Sequence, residues 1–555
     1  MNLPWWQSGI IYQIYPRSFA DSNGDGIGDL NGITAHLDYL AGLGVSALWL
    51  SPIYPSPDAD FGYDVSDYCA VDPKYGSMAD FDRLVSEAGA RGLHIILDLV
   101  LNHTSEAHPW FVESRASRDN PKRDWYLWRD PAPGGGAPNN WQSVFGGSGW
   151  EADPATGQYY FHMFTRQQPD VNWHNPAVRA AMLDVFRFWL ERGVDGFRLD
   201  VFNEYFKDPQ FRDNPVIFPV PGFGFAGQKH VNDVDRPEML PLLKEIRALL
   251  DAYSTPGHER YAVGETFGIG KSRAPDYIGA DKLHAAFNFT FTGLPWSGER
   301  YLHAILDWEH GLGAEWPNYV FNNHDTIRSA TRLHALIGNS NVALWQHGDL
   351  EDDARLKVLA ALLLTLRGTP FMYYGEEIGM RDLPIRSKDE VLDPVGRRFW
   401  PLIKGRDGCR APMQWDDSPN AGFAPASAHP WLPAHPDYPA RNVAAQQAEA
   451  ESLLSVYRRL IALRRDSPAL VEGLFLPLSH GRRRLLAYLR QTPGQTLLVA
   501  LNFAHRRQRL VLGAQLARAT WRLRFSTRPH PGSQPPIAND LLTLAPDEAM
   551  ILELL

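Results

Sequence analysis

The sequence predicts an α/β fold, a (β/α)8 or TIM barrel carrying two smaller appendages, and three observations predict it. Short apolar runs of strand type alternate with amphipathic helical stretches, the pattern of parallel-sheet α/β proteins. The alternation runs through eight strand-then-helix units. At 555 residues the chain is long enough for two or three domains, one of them large.

The first strand reads at "GIIYQIYPRSF", followed by the helix "NGITAHLDYLAGLG". The second, "VSALWLSPIYP", precedes "SMADFDRLVSEAGARG", where Phe81, Leu84, Val85 and Ala88 share one face at helical spacing. Strands three to eight read at "LHIILDLVLNH", "VDGFRLDVF", "YAVGETFG", "KLHAAFNFTF", "NYVFNNHD" and "TPFMYYGEEIGM". Helices such as "NPAVRAAMLDVFRFWLERG", "RPEMLPLLKEIRALLDAY" and "DARLKVLAALLLTLRG" lie between them. "ESLLSVYRRLIALRRDS" follows, with Leu453, Val456, Tyr457, Leu460 and Ile461 in one stripe.

Two segments break this rhythm. Residues 104–173, rich in Trp, Pro, Gly and Asn, are too long for an ordinary loop and read as a small inserted domain after the third strand. Residues 381–425 form a second irregular insertion on the same rim. The barrel is thus expected over 1–103 and 174–470. From 471 to 555 the pattern turns to short alternating strands, "RRLLAYLR", "QTLLVALNF" and "TWRLRF", which predict a C-terminal antiparallel β-domain of sandwich type.

Composition narrows the function. Apolar residues make up 44% and charged residues 21%, ordinary for a soluble globular protein. Cys69 and Cys409 are too few for a disulfide framework, and their spacing does not mark a metal site. The start "MNLPWWQSGI" lacks a basic n-region and an apolar h-region, and no uncharged run approaches the roughly 20 residues that span a bilayer. A cytoplasmic protein without a membrane partner is therefore expected. A net charge of −10 argues against nucleic acid, which needs clustered Lys and Arg. The 18 Trp, 21 Tyr and 27 Phe are many; such rings stack on sugars or fill a core, and composition does not separate the two uses.

"DSNGDGIGDL" at 21–30 has acidic or amide side chains at Asp21, Asn23, Asp25 and Asp29, with Gly26 at the sixth position of an EF-hand-like loop. The twelfth position, which must be Glu to close an EF-hand, is Gly32, and a strand rather than a helix precedes the loop. Two readings stay open: a partial oxygen cage that braces a loop, and a solvated turn without metal.

Four strands end in polar residues that a buried parallel strand does not carry without reason. They supply Asp98, Asn102 and His103; Arg198 and Asp200; Glu265; and His324 and Asp325. A single Asp at a strand end is usually a helix cap or an Arg partner. Asp200, Glu265 and Asp325 together converge on the rim where a (β/α)8 barrel holds its active site. Convergent carboxylates suit glycosidic cleavage, whose oxocarbenium-like transition state needs a stabilising carboxylate and whose leaving oxygen needs a proton. Arg198, two residues before Asp200 on the same strand face, is expected to keep Asp200 ionised. That makes Asp200 the better nucleophile and Glu265 the better acid, its pKa raised by neighbouring negative charge.

These motifs, in this order, resemble the signature regions of glycoside hydrolase family 13, the α-amylase family, over almost the whole chain. "YQIYPRSFADSNGDGIGDLNGI", "DFGYDVSDY" and "GRDGCRAPMQWDD" resemble its α-glucosidase and oligo-1,6-glucosidase branch. The resemblance implies Asp200 as nucleophile, Glu265 as general acid/base and Asp325 as the carboxylate that grips sugar hydroxyls. It implies Asp60, Tyr63, His103, Arg198, His324 and Arg406 around the glucose subsite, with Arg410 either there or structural. It also implies one structural Ca2+ or Mg2+ held by Asp21, Asn23, Asp25, Asp29 and the carbonyl of Ile27, and no organic cofactor.

The pattern departs from the branch at Phe61, where Asn is usual, and at Ile327, where Pro is usual; both are expected beside the pocket. Val201, after the nucleophile, resembles members that favour α-1,6 bonds, and "QPDVNW" at 168–173 resembles a region that tracks linkage. The activity implied is a retaining, exo-acting α-glucosidase that releases terminal non-reducing glucose from short maltose- or isomaltose-type sugars through a glucosyl-enzyme intermediate. The two insertions are expected to wall the site into a pocket, making starch a poor substrate. A transglucosylase or sucrose isomerase would use the same intermediate. A non-catalytic, transporter-associated relative is disfavoured, because such chains have a membrane anchor and have lost catalytic carboxylates.

Overall fold

The computed structural model describes residues 3–218, 224–266, 273–333, 353–478, 484–530, 532 and 534–555. Eight parallel strands form the central sheet: β1 (Ile11–Ile14), β2 (Ala47–Leu50), β3 (His94–Leu99), β4 (Gly196–Leu199), β5 (Tyr261–Gly264), β6 (Ala285–Ala286), β7 (Asn318–Val320) and β8 (Thr369–Tyr373). Their order is β7-β8-β1-β2-β3-β4-β5-β6. No strand pairing joins β6 to β7; instead the Asn318 side-chain amide donates to the Ala286 carbonyl at 2.9 Å and spans the seam. All eight expected strands are present, shorter than their apolar runs. Phe267 and Gly268 of the fifth run and Arg483 of the first C-terminal run lie outside the described residues.

Alternation along the strands sorts two packed layers. Tyr12, Leu48, Leu50, Ile95, Leu97, Phe197, Leu199 and Ala262 face the helices. Ile11, Ala47, Trp49, Ile96, Val263, Phe287, Val320 and Phe371 fill the barrel interior. The helices follow the expected faces: Met78–Ala90 opens on a Ser77/Asp80 capping box and buries Phe81, Leu84 and Ala88. Val85 is only half-buried. Leu453–Arg465 buries Leu453, Val456, Tyr457, Leu460 and Ile461 as one stripe.

Between β3 and β4 the chain forms a helix (Pro109–Ala116) and a three-stranded antiparallel sheet, Trp128–Arg129, Gln158–Phe161 and Trp150–Asp153. Toward the C-terminus, five antiparallel strands pair in one sheet and three in another. Leu485, Ala487, Leu498, Ala500, Met550 and Leu552 meet Leu510, Leu542 and Leu544 of the second sheet. The alternate residues Leu486, Tyr488, Leu497, Val499, Leu501 and Ile551 join the barrel's core. Among the described residues no helix is long and apolar enough to cross a membrane.

Candidate active site

The inward columns of the strands end in polar groups at one rim. Gln13 continues the column of Ile11, Asp98 that of Ile96, Arg198 and Asp200 that of Gly196, and Glu265 that of Val263. Period-two geometry thus sends all of them toward the same point above the packed interior. Arg198 is buried at its centre, with Nη1 donating to Asp98 at 2.7 Å and Asp200 at 2.6 Å, and Nη2 donating to Glu265. The Asp200 and Glu265 carboxyls are thus held on the two terminal nitrogens of one guanidinium.

This corrects the expectation that Arg198 keeps Asp200 ionised. One guanidinium is divided among three carboxyls, and burial outweighs it. Burial raises Asp200 well above the ordinary carboxylate range, with Arg198 opposing and Glu265 adding to the rise. Burial raises Glu265 as well, again against Arg198. Asp98 is pushed up to about 6 for the same reason. Two buried carboxyls that share one guanidinium do not both ionise readily.

Asp325 is the counter-case. His324 Nε2 lies 3.2 Å away, Arg410 donates to it at 2.9 Å and Arg406 at 3.3 Å, and these neighbours hold its pKa well below the usual range despite burial. A chain of hydrogen bonds orders the floor. Gln13 donates to His324 Nδ1 at 2.7 Å, Nε2–H of that ring donates to the Tyr63 oxygen at 2.5 Å, and Tyr63 donates to Asp98 at 3.1 Å. Burial lowers His324 well below its ordinary value, so the imidazole is neutral, as this chain requires. His103, lowered by burial to about 4, is neutral too; its Nε2–H donates to the Tyr63 carbonyl at 3.0 Å.

Asp60, Tyr63, His103, Asp200, Val201, Glu265, His324, Asp325 and Arg406 line one cavity of about 530 Å3. Arg198 lies against its floor. Its walls come from both insertions: Val144, Phe145, Phe164 and Gln168 from one, and Val395, Phe399, Ile403 and Arg406 from the other. Arg406 closes the rim by pairing with Asp60 at 2.5 Å and Asp393 at 2.6 Å. Val201 is buried with φ +33°, a left-handed conformation that a β-branched residue adopts only at a cost of about 1–3 kcal/mol. That turn brings its backbone N–H to 3.4 Å from Glu265.

Phe61 and Ile327 do not line the cavity. Phe61 packs on Trp431, ring centroids 5.4 Å apart, and under the Arg17 guanidinium at 5.3 Å. Its φ of +47° accounts for the usual Asn, which tolerates that region better. Arg410 is buried and donates to the His324 carbonyl at 2.8 Å as well as to Asp325, so it positions that carboxylate. Sequence reasoning missed Gln13, Asp393 and the aromatic walls. A lone Gln in the buried run "IYQI" was a usable signal; Asp393 had none, since Asp before Pro also reads as a helix cap, which it is, accepting from Gly396.

The loop at 21–30 is built from Asx turns. Asp21 accepts from the backbone N–H of Asn23, Gly24 and Gly26, Asn23 from Asp25, and Asp25 from Ile27, while Asp29 caps the next helix at Gly32. Gly26 has φ +90°, and a Cβ there would lie 2.0 Å from the His429 carbonyl oxygen. Among the described residues no three His, Cys, Asp or Glu side chains gather as a metal cage. The donors present, three carboxylates, one amide oxygen and the Ile27 carbonyl, are all hard oxygen with lone pairs to spare, which fits Ca2+ or Mg2+ chemically.

Residues 13–473 match the family "Alpha amylase, catalytic domain". A probable alpha-glucosidase of Rhizobium meliloti (strain 1021) is 47% identical over 484 residues, 84% of each chain. The oligo-1,6-glucosidase of Parageobacillus thermoglucosidasius is 39% identical over 513 residues, 86% of each. Among solved structures, the alpha-glucosyl transfer enzyme XgtA superposes over 100% of both chains with a TM-score of 0.90 and 41% identity. With its barrel, its rim of carboxylates and these relatives, the chain belongs to the α-amylase family, glycoside hydrolase family 13, in the α-glucosidase and oligo-1,6-glucosidase branch, and is a glycoside hydrolase.

Proposed function

We propose that this enzyme is a retaining, exo-acting α-glucosidase that takes the non-reducing end of short α-glucosides into the 530 Å3 cavity. The observation that carries this reading is the enclosure: two insertions and the Asp60–Arg406–Asp393 pairs wall a site of small-ligand size. Asp200 is the nucleophile and Glu265 the acid that protonates the leaving oxygen and later activates water. Their shared hold on Arg198 supports retention, because one guanidinium keeps the two carboxyls close, whereas inverting enzymes keep them about 6.5–9.5 Å apart to seat a water. Asp325, held ionised, accepts from sugar hydroxyls and faces the developing positive charge.

Purified protein given maltose, isomaltose and soluble starch is expected to release glucose from the disaccharides, α-anomer first by NMR, and almost none from starch. β-Anomer first, or rapid mid-chain starch cleavage, would overturn the reading. Val201→Ala is expected to move the isomaltose-to-maltose ratio toward maltose by up to about tenfold, the worth of small apolar groups in a pocket.

Full-length likeness to a glucosyl-transferring enzyme favours a second outcome from the same intermediate, transfer to a sugar instead of water. Oligosaccharide products growing with substrate concentration would establish it.

We also propose a Ca2+ or Mg2+ ion in the loop at 21–30, where it braces the turn against His429 and Trp431, whose N–H donates to the Gly26 carbonyl at 3.0 Å. Calcium at a hundredfold excess over Kd is expected to stabilise the protein by about 2–3 kcal/mol over protein in EDTA. The rise in Tm should vanish in Asp21→Ala; identical melting with and without calcium refutes the site.

A further inference from the structure

A second cavity, of about 420 Å3, is lined by the inserted segment and the residues after β4. Its walls include Arg118, Arg123, Arg129, Lys207, Trp128 and Phe211, with Asp124 the one carboxylate among the lining residues. This is a concentration of positive charge on a chain of net charge −10.

Two of the cations are already answered by carboxylates: Arg118 pairs with Asp130, and Lys207 with Asp170 at 2.6 Å. Arg123 and Arg129 are held by neutral groups instead. Arg123 lies 3.4 Å over the Trp128 ring and donates to Gln158, Thr156 and the Ser114 carbonyl. Arg129 lies 3.6 Å over Phe211 and donates to the carbonyls of Trp128 and Pro209. Both guanidiniums are thus fixed in orientation by stacking and by carbonyl oxygens, and neither forms an ion pair among the described residues. Burial lowers Arg123 to about 10, only partly offset by the charge of Asp153, which is itself paired with Arg115. Asp124 acts on Arg129 through its charge but forms no ion pair with it, its side chain accepting from Asn172 and Asn175.

We propose that this cavity binds a small oxyanion, the phosphate group of a phosphate monoester, between Arg123 and Arg129. Guanidiniums held in place give tetrahedral phosphate oxygens charge-assisted hydrogen bonds from the N–H groups they have left, in Arg123 the remaining Nη1–H because Nε and Nη2 are on Gln158 and Thr156, and pre-orientation removes much of the entropy cost of forming them. The cavity shares a wall with the catalytic region. Lys207 bonds Asp170 and the Asn102 oxygen at 2.8 Å, and the Asn102 amide donates to His103 Nδ1 at 3.3 Å. His103 lines the glucose pocket, so Lys207, Asn102 and His103 link an anion beside Lys207 to that pocket.

The test is thermal denaturation and calorimetric titration of the whole enzyme with inorganic phosphate and with glycerol 2-phosphate, against sodium chloride at matched ionic strength. Neither probe carries a glucosyl group, so neither competes by chemistry for the catalytic pocket. A saturable rise in Tm with both probes is expected, absent with chloride. Phosphate binding without glycerol 2-phosphate binding would mark a free-phosphate site and overturn the monoester assignment. Arg129→Gln, whose side chain touches only backbone oxygens and Phe211, is expected to weaken binding by about tenfold or more while glucoside hydrolysis without phosphate stays unchanged. Arg123→Gln should do the same, with Arg129→Gln standing alone if loss of the Ser114 and Gln158 contacts disturbs folding. Equal stabilisation by chloride, or unaltered phosphate binding in Arg129→Gln, overturns the proposal.

Discussion

Asp200→Asn is expected to fold with its barrel intact and to lose on the order of 100,000-fold in kcat on any α-glucoside, the scale of removing a covalent nucleophile. The amide occupies the same space, and Arg198 keeps Asp98 and Glu265 as partners, so the variant leaves no buried cation unpaired. The loss is chemical, because an amide oxygen is too weak a nucleophile to attack the anomeric carbon and cannot balance its positive charge. Asp200→Gly separates that role from a structural one. Azide entering the vacated space attacks the anomeric carbon of an aryl glucoside as the phenolate departs, so added azide should raise the rate and yield β-glucosyl azide. Retention of activity within tenfold in Asp200→Asn would exclude the assignment.

The parts of this site that strands position were legible because strand geometry is periodic. Gly196, Arg198 and Asp200 alternate with buried apolar residues, and an arginine and an aspartate inside a buried parallel strand have no structural use that an apolar residue would not serve better. The same spacing could not reveal that Arg198 also reaches Asp98 and Glu265, because neighbours on adjacent strands depend on register, which pairs Asp98 with Arg198 and Arg198 with Val263. Hence the sequence reading gave Arg198 one partner where it has three. The rim was less legible still. Asp60 and Arg406 are 346 positions apart and both sit in irregular segments, where an ion pair leaves no pattern. Phe61 misled for another reason: it stands next to a pocket residue in the chain, but its left-handed backbone turns the ring away, onto Trp431 and Arg17.

Glu265→Gln is expected to distinguish substrates by their leaving groups. Maltose and isomaltose leave as poor alkoxides that need a proton, so their kcat/KM should fall by about 100- to 10,000-fold, the range of general acid catalysis. An aryl glucoside with a stable phenolate needs no such proton in its first step and should keep most of its kcat/KM. The pH profile supplies the second readout. On the mechanism proposed above, the competent free enzyme has one proton on the Asp200–Glu265 pair, with Asp200 ionised and Glu265 protonated. Activity therefore falls on the acid side as the pair takes up a second proton, and on the alkaline side as its single proton leaves. Burial raises both carboxyls, so both limbs lie above where free Asp and Glu, at about 3.9 and 4.3, would put them. Asp325, held far below that range by His324, Arg406 and Arg410, stays ionised throughout and contributes to neither limb. In Glu265→Gln the alkaline limb should disappear from the aryl-glucoside profile while the acid limb, now set by Asp200 beside a neutral amide, moves down in pH. Equal losses on disaccharide and aryl glucoside, with the alkaline limb in place, would show that Glu265 only braces Arg198 and that the proton comes from another group.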